Sequence, residues 1–139
     1  MRQKLLILII SFLLISCNTG ENSGAKAFIG SWRNNDGAQL ILKSNSAFIG
    51  ISLPTKLFFR GDTATSLSFN GSGHWYITDW KFQFPNITLY FDSTGIMKST
   101  VTKMCVAGSG LWEYRPPWNT MFTWIEEEGG ERYEFIQQK

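Results

Sequence analysis

The chain is poor in the residues that carry most protein chemistry. Its 139 residues include two cysteines and one histidine. No His/Cys/Asp/Glu cluster has the spacing of a zinc site. The acidic run Glu126-Glu127-Glu128-Gly129-Gly130-Glu131 lacks the alternating oxygen ligands of a calcium loop and reads as a solvated hairpin tip. There is no G-x-S-x-G elbow, phosphate loop or dinucleotide fingerprint, and nothing selects a pair of carboxylates for acid–base work. The expectation is a protein that is not an enzyme and holds no metal or cofactor. A charge excess is missing too: 13 Lys and Arg stand against 11 Asp and Glu. Two of those cations, Arg2 and Lys4, lie in a segment expected to be removed, leaving 13 − 2 = 11 against 11. An evenly mixed surface has no nucleic-acid footprint, which needs clustered Lys and Arg. Helical periodicity is absent as well, because from Phe28 onward no window of ten residues repeats its apolar positions at i, i+3, i+4, i+7.

What is present begins at the N-terminus. Arg2 and Lys4 precede an apolar stretch, Leu5 to Ile15, broken only by Ser11. A spanning helix needs roughly twenty apolar residues, so this length suits a signal sequence instead. Leu14-Ile15-Ser16-Cys17 resembles the bacterial lipobox at all four positions. That resemblance implies a diacylglycerol thioether on Cys17 Sγ, cleavage between Ser16 and Cys17, and acylation of the new α-amino group, with palmitate an expected chain. Two or three acyl chains hold a protein stably on a bilayer. Asn18 is not the aspartate that retains lipoproteins at the inner membrane of enteric bacteria, which tilts the expectation towards the outer membrane. The chain thus divides into a signal peptide at 1–16, a lipidated cysteine and polar tether at 17–27, and one domain at 28–139.

With Cys17 taken by lipid, Cys105 has no partner in the chain and reads as a small buried hydrophobe. The only histidine, His74, reads as a surface or structural residue that faces opposite Trp75. The domain itself reads as all-β. Ile87, Leu89 and Phe91 alternate with Thr88, Tyr90 and Asp92; Trp80, Phe82 and Phe84 alternate with Lys81 and Gln83; Ala47, Ile49 and Ile51 flank Phe48 and Gly50. Phe122 and Trp124 share a face, as do Tyr133 and Phe135. Turn formers separate these runs, among them Asn34-Asn35-Asp36-Gly37, Lys43-Ser44-Asn45-Ser46 and Asn70-Gly71-Ser72-Gly73. Short strands so spaced predict an antiparallel barrel or a sandwich of about eight to ten strands. Gly71-Ser72-Gly73-His74-Trp75 is echoed by Gly108-Ser109-Gly110-Leu111-Trp112, which suggests two strands entered through similar turns.

Phe28-Ile29-Gly30-Ser31-Trp32 resembles the F-x-G-x-W opening of lipocalins and fatty-acid-binding proteins. The whole chain is similar to the small lipocalin-like lipoproteins of Bacteroidota, with a lipobox, a polar tether, a G-x-W start and a closing strand resembling Arg132-Tyr133-Glu134-Phe135. The resemblance implies a small up-and-down β-barrel, with a β-sandwich as the alternative. It also implies structural roles for Gly30 and Trp32, with Arg132 packing on that tryptophan. Two functions follow. One is a membrane-anchored, non-catalytic binding module for a small apolar ligand, to which the many aromatics also point. The other is an envelope protein-interaction, structural or immunity-type lipoprotein. Its interaction surface would comprise Trp112, Arg115 and Trp118, residue types found at interface hot spots.

Overall fold

Ile87, Leu89 and Phe91 are fully buried, whereas Tyr90 and Asp92 on the other side of the strand are exposed, and Thr88 there is covered. That period of two is the pleat of a strand with one dry face. A computed structural model describes residues 23–58, 68–78, 85–93, 98–108, 116–125 and 130–139. Its strands are β1 (Gly30–Arg33), β2 (Gln39–Leu42), β3 (Ala47–Pro54), β4 (Ser68–Thr78), β5 (Asn86–Ser93), β6 (Lys98–Gly108), β7 (Trp118–Trp124) and β8 (Arg132–Gln137). Two short helical turns, α1 (Ser23–Lys26) and α2 (Thr55–Phe58), complete the described elements.

Each strand pairs antiparallel with the next, and β8 returns to β1 to close an eight-stranded barrel. Closure decides between barrel and sandwich: a sandwich keeps edge strands, whereas here every strand is paired on both sides. The seam is short but well tied. Trp32 faces Gln137, Arg33 faces Ile136, and the Gln138 N–H donates to the Ser31 carbonyl at 2.8 Å. The eight described strands lie between Gly30 and Gln137.

Directly opposed residues on neighbouring strands point to the same face, so the register separates the interior from the surface. Trp32, Leu40, Leu42, Phe48, Trp75, Leu89, Phe91, Met104, Val106, Met121 and Phe135 fill the interior. Phe91 sits at its centre, with the rings of Phe48, Phe58 and Phe69 at 4.9, 5.9 and 5.6 Å. Such tilted and edge-on contacts suit the ring quadrupole.

One expectation is corrected here: Gly71-Ser72-Gly73 is no turn; it lies inside β4, with Gly71 opposite Gly50, and Gly73 opposite Phe48 and Phe91. Gly71 leaves room for a ring, since a Cβ there would stand 2.8 Å from Phe91 Cδ1, whereas a Cβ on Gly73 would meet the Tyr90 backbone of β5. β3 turns its Phe48 side inward, leaving Ala47 and Ile49 half-buried and Ile51 exposed. A bulge between Gly50 and Leu53, with Ser52 at φ 51°, brings Leu53 inside too. The chain just ahead of β1 lies against the barrel. α1 packs Ala25 on the core, Phe28 is fully buried, and the Gln137 side-chain amide donates to the Ala27 carbonyl at 3.0 Å. The run Trp80, Phe82 and Phe84 lies outside the described residues.

The barrel has two distinct ends. At the α1 end, Phe28 and Trp32 plug the opening, and the Trp75 indole donates to the Lys43 carbonyl of the β2–β3 turn at 3.0 Å. At the opposite end stand the β1–β2 turn and α2, whose Phe58 joins the aromatic cluster.

Candidate functional site

Gly30 and Trp32 lie at the seam. Gly30 has φ +134°, a backbone conformation that L side chains rarely adopt. Trp32 is fully buried, and its indole N–H donates to the Phe28 carbonyl at 2.9 Å. Arg132 is not brought to Trp32. It starts β8, whereas Trp32 pairs near that strand's end, and the Arg132 guanidinium lies 4.6 Å over the Phe122 ring and 5.8 Å over that of Trp124. It also pairs with Glu134 at 3.3 Å. The register puts Phe122 on the outer wall, opposite Glu134 and Cys105. The cation and the neighbouring Trp124 ring account for part of its cover.

The proposed interaction surface is divided. Trp118 is buried, while Trp112 and Arg115 lie outside the described residues, as does Cys17. His74 projects from the outer wall beside Trp75, which is buried, and its Nδ1 stands 3.2 Å from an exposed Asp92 carboxylate. Cys105 is half-buried on the outer wall, where burial pushes its thiol pKa up and Arg132 offsets part of that shift. Neither residue opens into the barrel. No group of three or more potential metal ligands occurs among the described residues.

Among the described residues, one polar side-chain group of the interior is left unsatisfied by its surroundings. Tyr133 is 9% exposed and belongs to the core, yet its Oη is buried without a hydrogen-bond partner. A buried hydroxyl in that condition costs about 1–3 kcal/mol, so its retention calls for a reason. Tyr133 packs edge-on against Phe135 at 5.4 Å and lies directly opposite Thr123 of β7. On β6, Thr102 lies opposite Leu89 and Thr100 opposite Phe91, which turns both threonines inward. One wall of the barrel, β6 to β8 at the α2 end, therefore carries hydroxyls where the facing wall carries rings. Thr100, Thr102 and Thr123 point inward but are only half-buried.

The β1–β2 turn borders this wall. Asn34 caps the turn through the Asp36 N–H at 2.6 Å and donates its side-chain amide to the Glu134 carbonyl at 2.7 Å, which ties the turn to β8. Asp36 is thereby held close enough for its field to act on Tyr133. Burial, and secondly the Asp36 carboxylate, push the Tyr133 phenol up to about 12. At neutral pH the group is a neutral donor.

That shift predicts an alkaline loss of stability. Between about pH 10 and 12 the unfolded chain releases the phenolic proton while the folded chain keeps it, so stability falls as pH rises through this window. The difference amounts to roughly 2–3 kcal/mol by pH 12. Urea midpoints of the parent and Tyr133→Phe should diverge over that range, the variant losing less; parallel curves would contradict the assignment.

The sequence places Tyr133 and Phe135 on one face and gives Tyr133 no role of its own. The available signal was a hydroxyl among apolar alternating positions. Thr100 and Thr102 carried none, because in an isolated strand their inward direction is undetermined. Compared with protein-family models, curated proteins and solved structures, the chain matches none of them.

Proposed function

We propose that this chain is a lipid-anchored, non-catalytic binding module whose barrel takes a small apolar ligand from the α2 end. The observation that carries this reading is the half-exposure of inward-facing Thr100, Thr102 and Thr123 beside a buried, unpartnered phenol. Closed barrels that hold ligands do so at their mouths. The aromatic facing wall supplies apolar contact, and the lipocalin-like opening at Gly30 and Trp32 agrees with such a role. Native mass spectrometry of the chain from Asn18 onward, isolated from cells, tests it. An added mass lost on denaturation is expected; a bare mass that persists after incubation with a lipid extract would sink the reading.

The anchor is tested separately. Cys17 in its lipobox supports attachment to the outer membrane through thioether-linked diacylglycerol. Labelled palmitate should enter the parent chain and be absent from Cys17→Ala. Equal labelling of both chains would remove Cys17 from the proposal.

A further inference from the structure

We propose that Tyr133 is the polar anchor of the site, and that the ligand it selects is an apolar molecule with a neutral carbonyl, such as an ester, rather than a free fatty acid. This rests on the binding reading above and narrows it.

The argument starts from what a ligand would meet inside. Tyr133 Oη is a donor without an acceptor. Its proton is firmly held, because burial and Asp36 keep the phenol neutral far above physiological pH. A ligand that brings an acceptor removes the desolvation penalty of the phenol and forms a hydrogen bond in a dry setting, where such bonds are strongest. An aliphatic group alone would leave the donor unsatisfied.

The sign of the local charge then separates acceptors. A carboxylate would be the stronger acceptor, but it would have to approach the group on which the Asp36 carboxylate already acts. The Asn34 bonds to β8 and to the Asp36 N–H fix the backbone of the turn that carries Asp36. The described cation nearest on β8, Arg132, points to the outer wall over Phe122 and is engaged with Glu134. A carboxylate reaching the buried phenol would have to shed its water among core side chains, with Arg132 turned to the outer wall, and the exposed Asp36 adds a screened repulsion. A neutral carbonyl accepts the same hydrogen bond without that desolvation cost. Thr123, opposite Tyr133, and Thr102 on β6 offer further hydroxyls along the approach.

The test uses three ligands of matched chain, methyl decanoate, sodium decanoate and decane, titrated against the chain from Asn18 onward at pH 7.5 with tryptophan fluorescence as readout. Methyl decanoate should bind about tenfold more tightly than decane, one hydrogen bond's worth of affinity being roughly a factor of ten, and severalfold more tightly than decanoate. Tyr133→Phe should weaken the ester by about tenfold, leave decane unchanged, and melt without ligand at the same temperature or higher. Asp36→Asn, a change in an exposed turn, should strengthen decanoate severalfold with little effect on the ester. Preference for decanoate in the parent chain would overturn the inference, as would an ester affinity that Tyr133→Phe leaves intact. Should the ester, the acid and the alkane all bind equally to both chains, the anchor is wrong while the binding reading stands. Should none bind the parent chain, the binding reading fails and takes the anchor with it.

Discussion

Gly73→Ala unfolds the barrel or leaves it at the edge of unfolding. The added methyl would enter the Tyr90 carbonyl oxygen and would also lie 2.8 Å from the Tyr90 carbonyl carbon and 3.0 Å from Phe91 Cα. These are backbone atoms of the neighbouring strand, so no rotamer change relieves the clash. β4 and β5 would have to separate where their register already shifts, between Ser72 and Gly73. Overpacking against side chains costs about 1–3 kcal/mol. Against backbone the cost should reach at least about 3 kcal/mol, a large part of the roughly 5–15 kcal/mol that holds a domain together. Ser72→Ala, one residue away on the exposed face, is the matched control and should stay within about 0.5 kcal/mol of the parent. Urea unfolding followed by tryptophan fluorescence measures both. A Gly73→Ala midpoint equal to that of the parent would mean that the two strands are not packed as described.

Trp32→Ala should be nearly as damaging, at about 3–5 kcal/mol. Three losses combine in it. The largest buried side chain of the barrel disappears, the plug at the α1 end opens, and the Phe28 carbonyl loses its indole donor. Trp32→Phe separates the terms: it keeps most of the ring and removes the donor, so a cost nearer 1–2 kcal/mol is expected. Trp124, half-exposed on the outer wall, is the comparison, because its removal leaves the core closed. If Trp32→Ala and Trp124→Ala lowered the urea midpoint equally, Trp32 would not be the plug.

Both sites show how far the chain could be read before folding. Trp32 was legible because the G-x-W spacing is local: Gly30 supplies a positive φ and the next inward position supplies the ring. β5 was legible in full, since Ile87, Leu89 and Phe91 alternate cleanly with polar or exposed neighbours. Gly73 was misread because glycine favours turns and close approach alike. Which of the two applies depends on whether Tyr90 and Phe91 lie alongside, and those residues are remote in sequence. The β3 phase is left open by the sequence for a related reason. Ala47, Ile49 and Ile51 form an apolar alternation as convincing as that of Phe48 and Leu53, and only the partner strand decides which set goes inside.

The interior wall marks the same limit. Asp36 belongs to a turn that its own Asn34 and Gly37 predict, but its position near Tyr133 comes from the Asn34 bond to β8, a contact across the closed seam. Arg132 was expected at Trp32 and lies instead over Phe122 and Trp124, because a residue at the start of β8 meets the end of β7 and not the seam.

The sequence by itself determined the strand-rich class, many of the strand positions and the opening Gly30–Trp32 unit, because each depends on neighbours within a few residues. Only the tertiary structure decided that the sheet closes, which alternation faces inward, that Gly71 makes room for a ring and Gly73 for the neighbouring backbone, and that Tyr133 is left as an unsatisfied donor within the core. Those features are set by pairings between distant strands, where one residue's volume or hydrogen bond is supplied or denied by another that the local sequence does not specify.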